Sequence, residues 1–407
     1  MGACSSPAET PPDPQGASGG TVSVGGQGGN GGEATSVEPP PDNLAGGGGA
    51  GGAGGGPDVG GGTSSGGTGG APDPSAQFPD DGLPRDKTYS AGQVPLPPST
   101  MMVPELLSQT GLYANTATGV FAYDVRLFKP QFELWSDSAA KRRWIYIPAG
   151  EKINTSDMDN WTFPVGTKLW KEFVRDGVRV ETRIIWRILD SKRGWISMAY
   201  IWNDAQTDAV AAPMGLVNAS GTAHDVPGVQ ACNACHNERP DRPLGFSAVQ
   251  LSHDGPGLSL SELIASGTLT DPPAGNFTLP GTPVEQKMLG YLHGNCGHCH
   301  RAESSAAIRG DLRTWLLVAQ LGNVNTTDTF TYLVNKAVFA GTSVNPIRIV
   351  GGAPEKSEVL RRMQLVMSMG GLPPMGRMPP VGTEDVDVAG VNAVTEWVQS
   401  LPAPLLQ

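Results

Sequence analysis

Two short stretches concentrate the chemistry of this chain, Cys232-Asn233-Ala234-Cys235-His236 and Cys296-Gly297-His298-Cys299-His300. In each, two cysteines three apart are followed at once by a histidine, the spacing used for covalent attachment of a c-type haem. The two thiols can add across the two vinyl groups of one porphyrin as thioethers, and the adjacent imidazole can then reach the iron as proximal ligand. The spacing therefore predicts two haem c groups. Cys232, Cys235, Cys296 and Cys299 are the covalent anchors, and His236 and His300 the axial ligands. The motifs use four of the five cysteines, so almost no thiol is left for disulfides. A single zinc held by both pairs, or a thioredoxin-like redox pair, are the competing chemistries. Zinc pairs usually stand closer in sequence than Cys235 and Cys296, and neither alternative needs a histidine after both pairs.

Helices must present these motifs. Thr282-Pro283-Val284-Glu285 combines a capping threonine, a proline suited to the first helical position and a glutamate that completes a capping box. Met288, Leu289 and Leu292 then give the buried face of a helix running into Cys296. Near the end of the chain, Thr383-Glu384-Asp385 is expected to open a second helix, on which Val391, Val394, Trp397, Val398 and Leu401 recur at intervals of three and four. A helix before the motif crossing an amphipathic terminal helix resembles class I cytochromes c. That resemblance implies an iron-binding methionine ahead of the last helix and next to proline, a place filled by Met378 in Arg377-Met378-Pro379-Pro380, with Met375 as the competing choice. A soft thioether ligand favours ferrous iron and raises the potential. Met363, Met367 and Met369 are expected on a helix after Glu355-Lys356-Ser357, as core packing.

The first motif has no comparable partner. No methionine lies between His236 and Thr282. His253 is the nearest sixth ligand in that segment, with His224, His293 and Met214 as others that the fold could bring near. The remaining arrangement leaves one face of the iron open, which would allow peroxide or oxygen chemistry.

Upstream the pattern changes to short aromatic and β-branched runs, 144–148, 169–174, 178–186 and 195–202, separated by turns such as Asp176-Gly177 and Arg193-Gly194. They predict a β-rich domain over 79–227, a sandwich or barrel, with a short helix within 101–113, ending at Gly111, ahead of the strands. Asp137, Lys141, Arg142, Arg143, Asp204 and Asp208 are charges that could line a binding site there. Residues 1–78 hold most of the 56 glycines and hardly an aromatic, and are expected to form a disordered tether. The net charge of −11 is scattered, which argues against a nucleic-acid partner. No run of about 18 apolar residues offers a transmembrane span. Covalent haem attachment implies export, although no signal sequence follows Met1. Met1-Gly2-Ala3-Cys4 looks like the end of a bacterial lipoprotein signal, which makes Cys4 a candidate for lipidation. The rival pattern, myristoylation at Gly2, belongs to a compartment where haem c is not made.

Several stretches in order resemble a bacterial family of dihaem c-type cytochromes with a β-rich N-terminal part. They are 107–113 (Leu-Ser-Gln-Thr-Gly-Leu-Tyr), 134–144 (Leu-Trp-Ser-Asp-Ser-Ala-Ala-Lys-Arg-Arg-Trp), Pro164-Val165-Gly166-Thr167, Glu181-Thr182-Arg183, 202–209 and both haem motifs. The resemblance spans about 100–402. It implies an α+β chain outside the cytoplasm, the β-rich domain being followed over 228–407 by a mainly helical, cytochrome c-like dihaem domain. It implies no substrate. Related modules beside quinone-cofactor dehydrogenases suggest such enzymes as electron donors. The expected function is single-electron relay between redox proteins in the periplasm or at the outer membrane, with a dihaem peroxidase-like enzyme as the alternative.

Overall fold

The computed structural model describes residues 81–304, 311–338, 343–366, 376–380 and 382–404. The expected tether, Cys4, Met375, Met367 and Met369 lie outside these residues.

A six-stranded antiparallel meander carries the N-terminal half. Its order is β4 (Arg126–Leu127), β5 (Ala140–Tyr146), β6 (Lys168–Arg175), β7 (Val178–Arg187), β8 (Trp195–Trp202) and β9 (Ala209–Ala211). The four runs read from the sequence are β5 to β8. Asp176 and Gly177, both at positive φ, make the two-residue turn between β6 and β7. Register explains the composition. Trp144, Trp170, Ile184 and Met198 lie opposite one another across four strands. They enter a core shared with Leu112, Tyr113 and Phe121, which belong to or flank a small sheet of β1 (Arg85–Asp86), β2 (Tyr113–Asn115) and β3 (Val120–Ala122). One residue further on, Ile145, Leu169 and Ile185 enter a second core on the opposite face. With both faces covered at these positions, adjacent residues here are both apolar, one on each face. The helix expected within 101–113 is a single 3₁₀ turn, Leu107–Thr110, closed by Gly111 in a left-handed conformation. A further two-stranded ribbon, β10 (Gly215–Leu216) with β11 (Val226–Pro227), leads to the first motif.

The second half is not mainly helical. Its helices are α1 (Val229–His236), α2 (Ala248–Leu251), α3 (Leu260–Ala265), α4 (Pro283–Asn295), α5 (Asp328–Leu333), α6 (Glu358–Met363) and α7 (Val388–Ser400), of which only α4 and α7 reach 13 residues. Turn-forming residues such as Asp271-Pro272-Pro273-Ala274-Gly275 interrupt the chain between them, and prolines deprive a helix of amide donors. The residues after 228 also supply Phe246, Leu251 and Leu263 to the core beneath the large sheet. Gly70–Gln407 forms one compact unit.

The two long helices pack on each other as their patterns predict. Thr282 and Glu285 cap α4 reciprocally, with Pro283 at its start. Met288, Leu289 and Leu292 meet Val391, Val394, Trp397 and Val398. The close crossing needs Gly390, where an added Cβ would come within 2.1 Å of the Tyr291 ring. The last helix starts later than expected, at Val388 with Asp387 as its cap. Glu384 and Asp385 are non-helical and give their amides to the Asp137 carboxylate instead.

On the face away from the motifs, Lys168 is buried and donates to the carbonyls of Ala91 (2.7 Å) and Thr110 (3.0 Å), with its ammonium 4.1 Å from the Trp186 ring centre. Burial pulls its pKa down to about 7. Between this value and that of an unfolded lysine the unfolded chain binds more protons, so stability rises with pH across that interval. We expect urea unfolding to show at least ~1 kcal/mol of stabilisation from pH 7 to pH 10 that is absent in Lys168→Met.

Candidate functional site

The two cysteine motifs, separated by some 60 residues of chain, meet in the fold. Cys235 Sγ, Cys299 Sγ and a ring nitrogen of His298 lie within 4.8 Å of one another. Cys235 lies in the last turn of α1, and the Cys296 motif follows directly from α4. Gly297 is required there, because a Cβ would meet the His293 carbonyl oxygen at 2.8 Å and the Trp315 Cα at 3.1 Å. All four motif cysteines are free thiols and half-buried. The hydrogen bond from Cys299, with help from His298, lowers the Cys235 thiol against the effect of burial. The same bond, with burial, pushes Cys299 up, and burial raises Cys296 to about 12.

His236 is held in one orientation. Its Nδ1 lies 2.7 Å from the Arg242 carbonyl, to which it must donate, so Nε2 carries the lone pair. Burial lowers its pKa to about 3, which keeps the ring neutral. The turn that supplies this carbonyl, Arg239-Pro240-Asp241-Arg242-Pro243, is fixed by Asp241. The Asp241 carboxylate is buried and accepts from Arg187 (2.6 Å), Trp195 Nε1 (2.6 Å), and the amides of Phe163 and Arg242 (both 3.0 Å). Burial pushes its carboxyl above the usual range, while these donors act in the opposite sense. His300 has no such carbonyl: its buried Nδ1 has no hydrogen-bond partner among the described residues. Burial lowers it to about 4. The Met378 amide donates to the Arg362 carbonyl at 3.2 Å, and the Arg362 guanidinium contributes to the positive field at His300. Arg377 anchors this segment through the carbonyls of Leu365, Pro379, Thr383 and Asp385.

The other histidines are engaged elsewhere. His253 follows α2, and its Nδ1 accepts the Gly255 amide at 3.1 Å, so a neutral ring carries its proton on Nε2. No hydrogen bond or ion pair among the described residues joins it to the cysteine cluster. His224 Nε2 lies 2.7 Å from Glu181, which Arg183 also holds through two hydrogen bonds. Burial drives the Glu181 carboxyl up, yet Arg183 and His224 together hold it below the usual range. His293 Nδ1 accepts the Leu316 amide at 3.1 Å. A ring nitrogen that accepts an amide while its neighbour carries the proton has no lone pair for iron, so His293 in this tautomer is a donor.

The sheet turns a row of cations towards the motifs, with Arg143, Lys171 and Arg183 at one register on β5, β6 and β7. Arg143 pairs with Glu133 at 2.9 Å, and Arg183 with Glu181. Lys171 makes no ion pair among the described residues, and burial, then Arg143 and Arg183, depress its pKa strongly. Of the other charges singled out in the sequence, Arg142 pairs with Glu172, and Asp208 accepts the Ser108 amide. A cleft lined by Asp124, Arg126, Lys152 and Thr268 shares no residue with the cysteine cluster.

The arrangement fits a covalently bound haem on chemical grounds. It offers two pairs of free thiols, an imidazole oriented through Nδ1, and buried donors left unsatisfied around the motifs, namely His293 Nε2, Trp315 Nε1, Arg239 Nε and two nitrogens of Arg301. Sequence reasoning missed Asp241, Arg239, Arg301, Trp315 and Lys171. The proline-flanked turn directly after His236 was the available signal for the first two; nothing local marks the others. No family model matches the chain, and no curated protein or solved structure is significantly similar to it.

Asp241→Asn removes the charge that neutralises buried Arg187. We expect a loss on the order of 3 kcal/mol in chemical denaturation, as for a broken buried ion pair. Asp190→Asn, on the exposed partner of Arg187, should cost under ~1 kcal/mol.

Proposed function

We propose that this chain is a dihaem c-type cytochrome that relays single electrons between redox partners outside the cytoplasm. The observation that carries this reading is the meeting of the two Cys-x-x-Cys-His motifs, whose second cysteines and His298 lie within 4.8 Å. Cys232 with Cys235, and Cys296 with Cys299, would hold one haem each. His236 and His300 would each bind the iron of the haem on their own motif, and Met378 would bind that of the second. When bound, each group supplies a one-electron ferric/ferrous couple. Two such groups anchored on neighbouring sulfurs favour exchange between them.

The chain itself does the positioning. Arg242 fixes the tautomer of His236, Arg377 anchors the Met378 segment, and the packing of α4 on α7 buries the approach to Cys296. The partners are redox proteins, a quinone-cofactor dehydrogenase among them. The location is the periplasm or outer membrane, with Cys4 as a possible lipid anchor. Among the described residues no helix is long and apolar enough to cross a membrane.

A second reading is favoured by the same cluster: Cys235, His298 and Cys299 could instead hold one metal ion such as zinc. Cys232 and Cys296 stand outside that set, which counts against a four-cysteine site.

A reduced pyridine haemochrome spectrum, with iron quantified against protein made in a c-type maturation host, should give two haems per chain. Cys232→Ala with Cys235→Ala, and separately Cys296→Ala with Cys299→Ala, should each leave one. Zinc without haem would overturn the proposal. Cyanide binding by one ferric haem would turn it towards peroxidase-like chemistry. In the loaded protein, Met378→Ala should lower one midpoint potential by on the order of 0.1 V, within the ~0.8 V that axial ligation spans. An unchanged potential removes Met378 from the coordination sphere.

A further inference from the structure

Three buried side chains beside the motifs gather around one buried indole, and the atoms that these four residues leave unpaired are all donors. The Arg239 guanidinium carbon lies 4.1 Å from the Trp315 ring centre and that of Arg301 5.4 Å, and the His293 ring is 4.2 Å away. Their exposures are 3% for Arg239, 5% for Arg301, 1% for His293 and 6% for Trp315, so bulk solvent does not reach them. Arg239 Nε, Arg301 Nε and one terminal nitrogen, His293 Nε2 and Trp315 Nε1 have no acceptor among the described residues. Since His293 Nδ1 already accepts the Leu316 amide, the neutral ring presents N–H at Nε2.

Asp241 and Asp159 act by charge on Arg239, and Glu303, Asp159 and Asp157 on Arg301, but no hydrogen bond among the described residues joins an acid to the orphaned nitrogens. Asn160 takes one terminal nitrogen of Arg301 at 2.5 Å, Asp159 accepts the Val318 amide at 2.9 Å, and Asp241 is shared by four other donors. Two guanidiniums held together in a dry site repel each other, which burial alone cannot offset. Burial and then the neighbouring Arg301 pull Arg239 down to about 9. What the orphaned donors lack is a hydrogen-bond acceptor, and a carboxylate matches the planar fork of a guanidinium. Its position is informative too. Arg239 stands three residues after His236, Arg301 directly after His300, and His293 three before Cys296, so the set spans both motifs.

We propose that Arg239, Arg301, His293 and Trp315 form a buried carboxylate cradle that takes a carboxylate of a haem held by the adjoining motifs. The inference rests on the haem reading above for the source of the carboxylate, and on the donor set alone for its chemistry. A free dicarboxylate is the other source of the same group.

The test labels the haem carboxylate carbons with ¹³C through labelled aminolaevulinate and records redox-difference infrared spectra of the full chain. In the wild type the labelled carboxylate bands should move in Arg239→Gln and in Trp315→Phe, and return in Arg239→Lys. One midpoint potential should fall in Arg239→Gln by about 59 mV, a tenfold change in the one-electron equilibrium. Two haems with labelled bands and potentials unchanged by both substitutions would overturn the assignment to haem. If the chain carries no haem, titration of the haem-free protein with succinate, read by the tryptophan emission lost in Trp315→Phe, decides the rest. Saturation abolished by Arg239→Gln supports a carboxylate site filled by a free acid, and no saturation overturns the cradle.

Discussion

One buried carboxylate ties the sheet to the chemistry. Asp241 accepts from Arg187 and Trp195 on the strands, from Phe163 in the connection before β6, and from its own turn through Arg242. The carbonyl that orients His236 belongs to that same turn. A charge taken out of water is tolerated only when its lone pairs are satisfied, and here the groups that satisfy it come from three separate parts of the chain. The orientation of the first candidate ligand is thus a consequence of tertiary packing some 50 residues away in sequence.

The large sheet serves two different surroundings. Its outer row of tryptophans is a hydrocarbon core closed by the small sheet, with Lys168 capping carbonyls at its edge. The face towards the motifs carries Ile145, Leu169 and Ile185 at one end and Arg143, Lys171 and Arg183 at the other. A period of two makes this possible, because a shift of one residue exchanges an apolar row for a charged one. Register is therefore what brings positive charge to the cysteine cluster.

Where expectation and structure part, the reasons are local. The helical pattern was strong in α4 and α7, where caps, apolar spacing and glycines agree, and these two helices pack as their patterns imply. Extending that pattern over 228–407 failed because proline and glycine break the intervening chain into helices of eight residues or fewer. Thr383 looked like a cap, yet Asp137, far away in sequence, claims the amides that a helix would have used. Two of the charges on β5 that suggested a binding site are paired, Arg142 with Glu172 across the strand pair and Arg143 with Glu133 in the segment before β5.

The sequence by itself marked Cys232, Cys235, His236, Cys296, Cys299 and His300 as a repeated Cys-x-x-Cys-His motif, because that pattern depends only on spacing along a short segment. It also determined the main strands and the two long helices, which follow from local periodicity and capping. Only the tertiary structure decided that the two motifs touch, that Asp241 and Arg242 orient His236, and that Arg239, Arg301, His293 and Trp315 converge. Those relations join residues far apart in the chain through burial and charge, and a linear pattern holds no record of which distant groups share a dry interior.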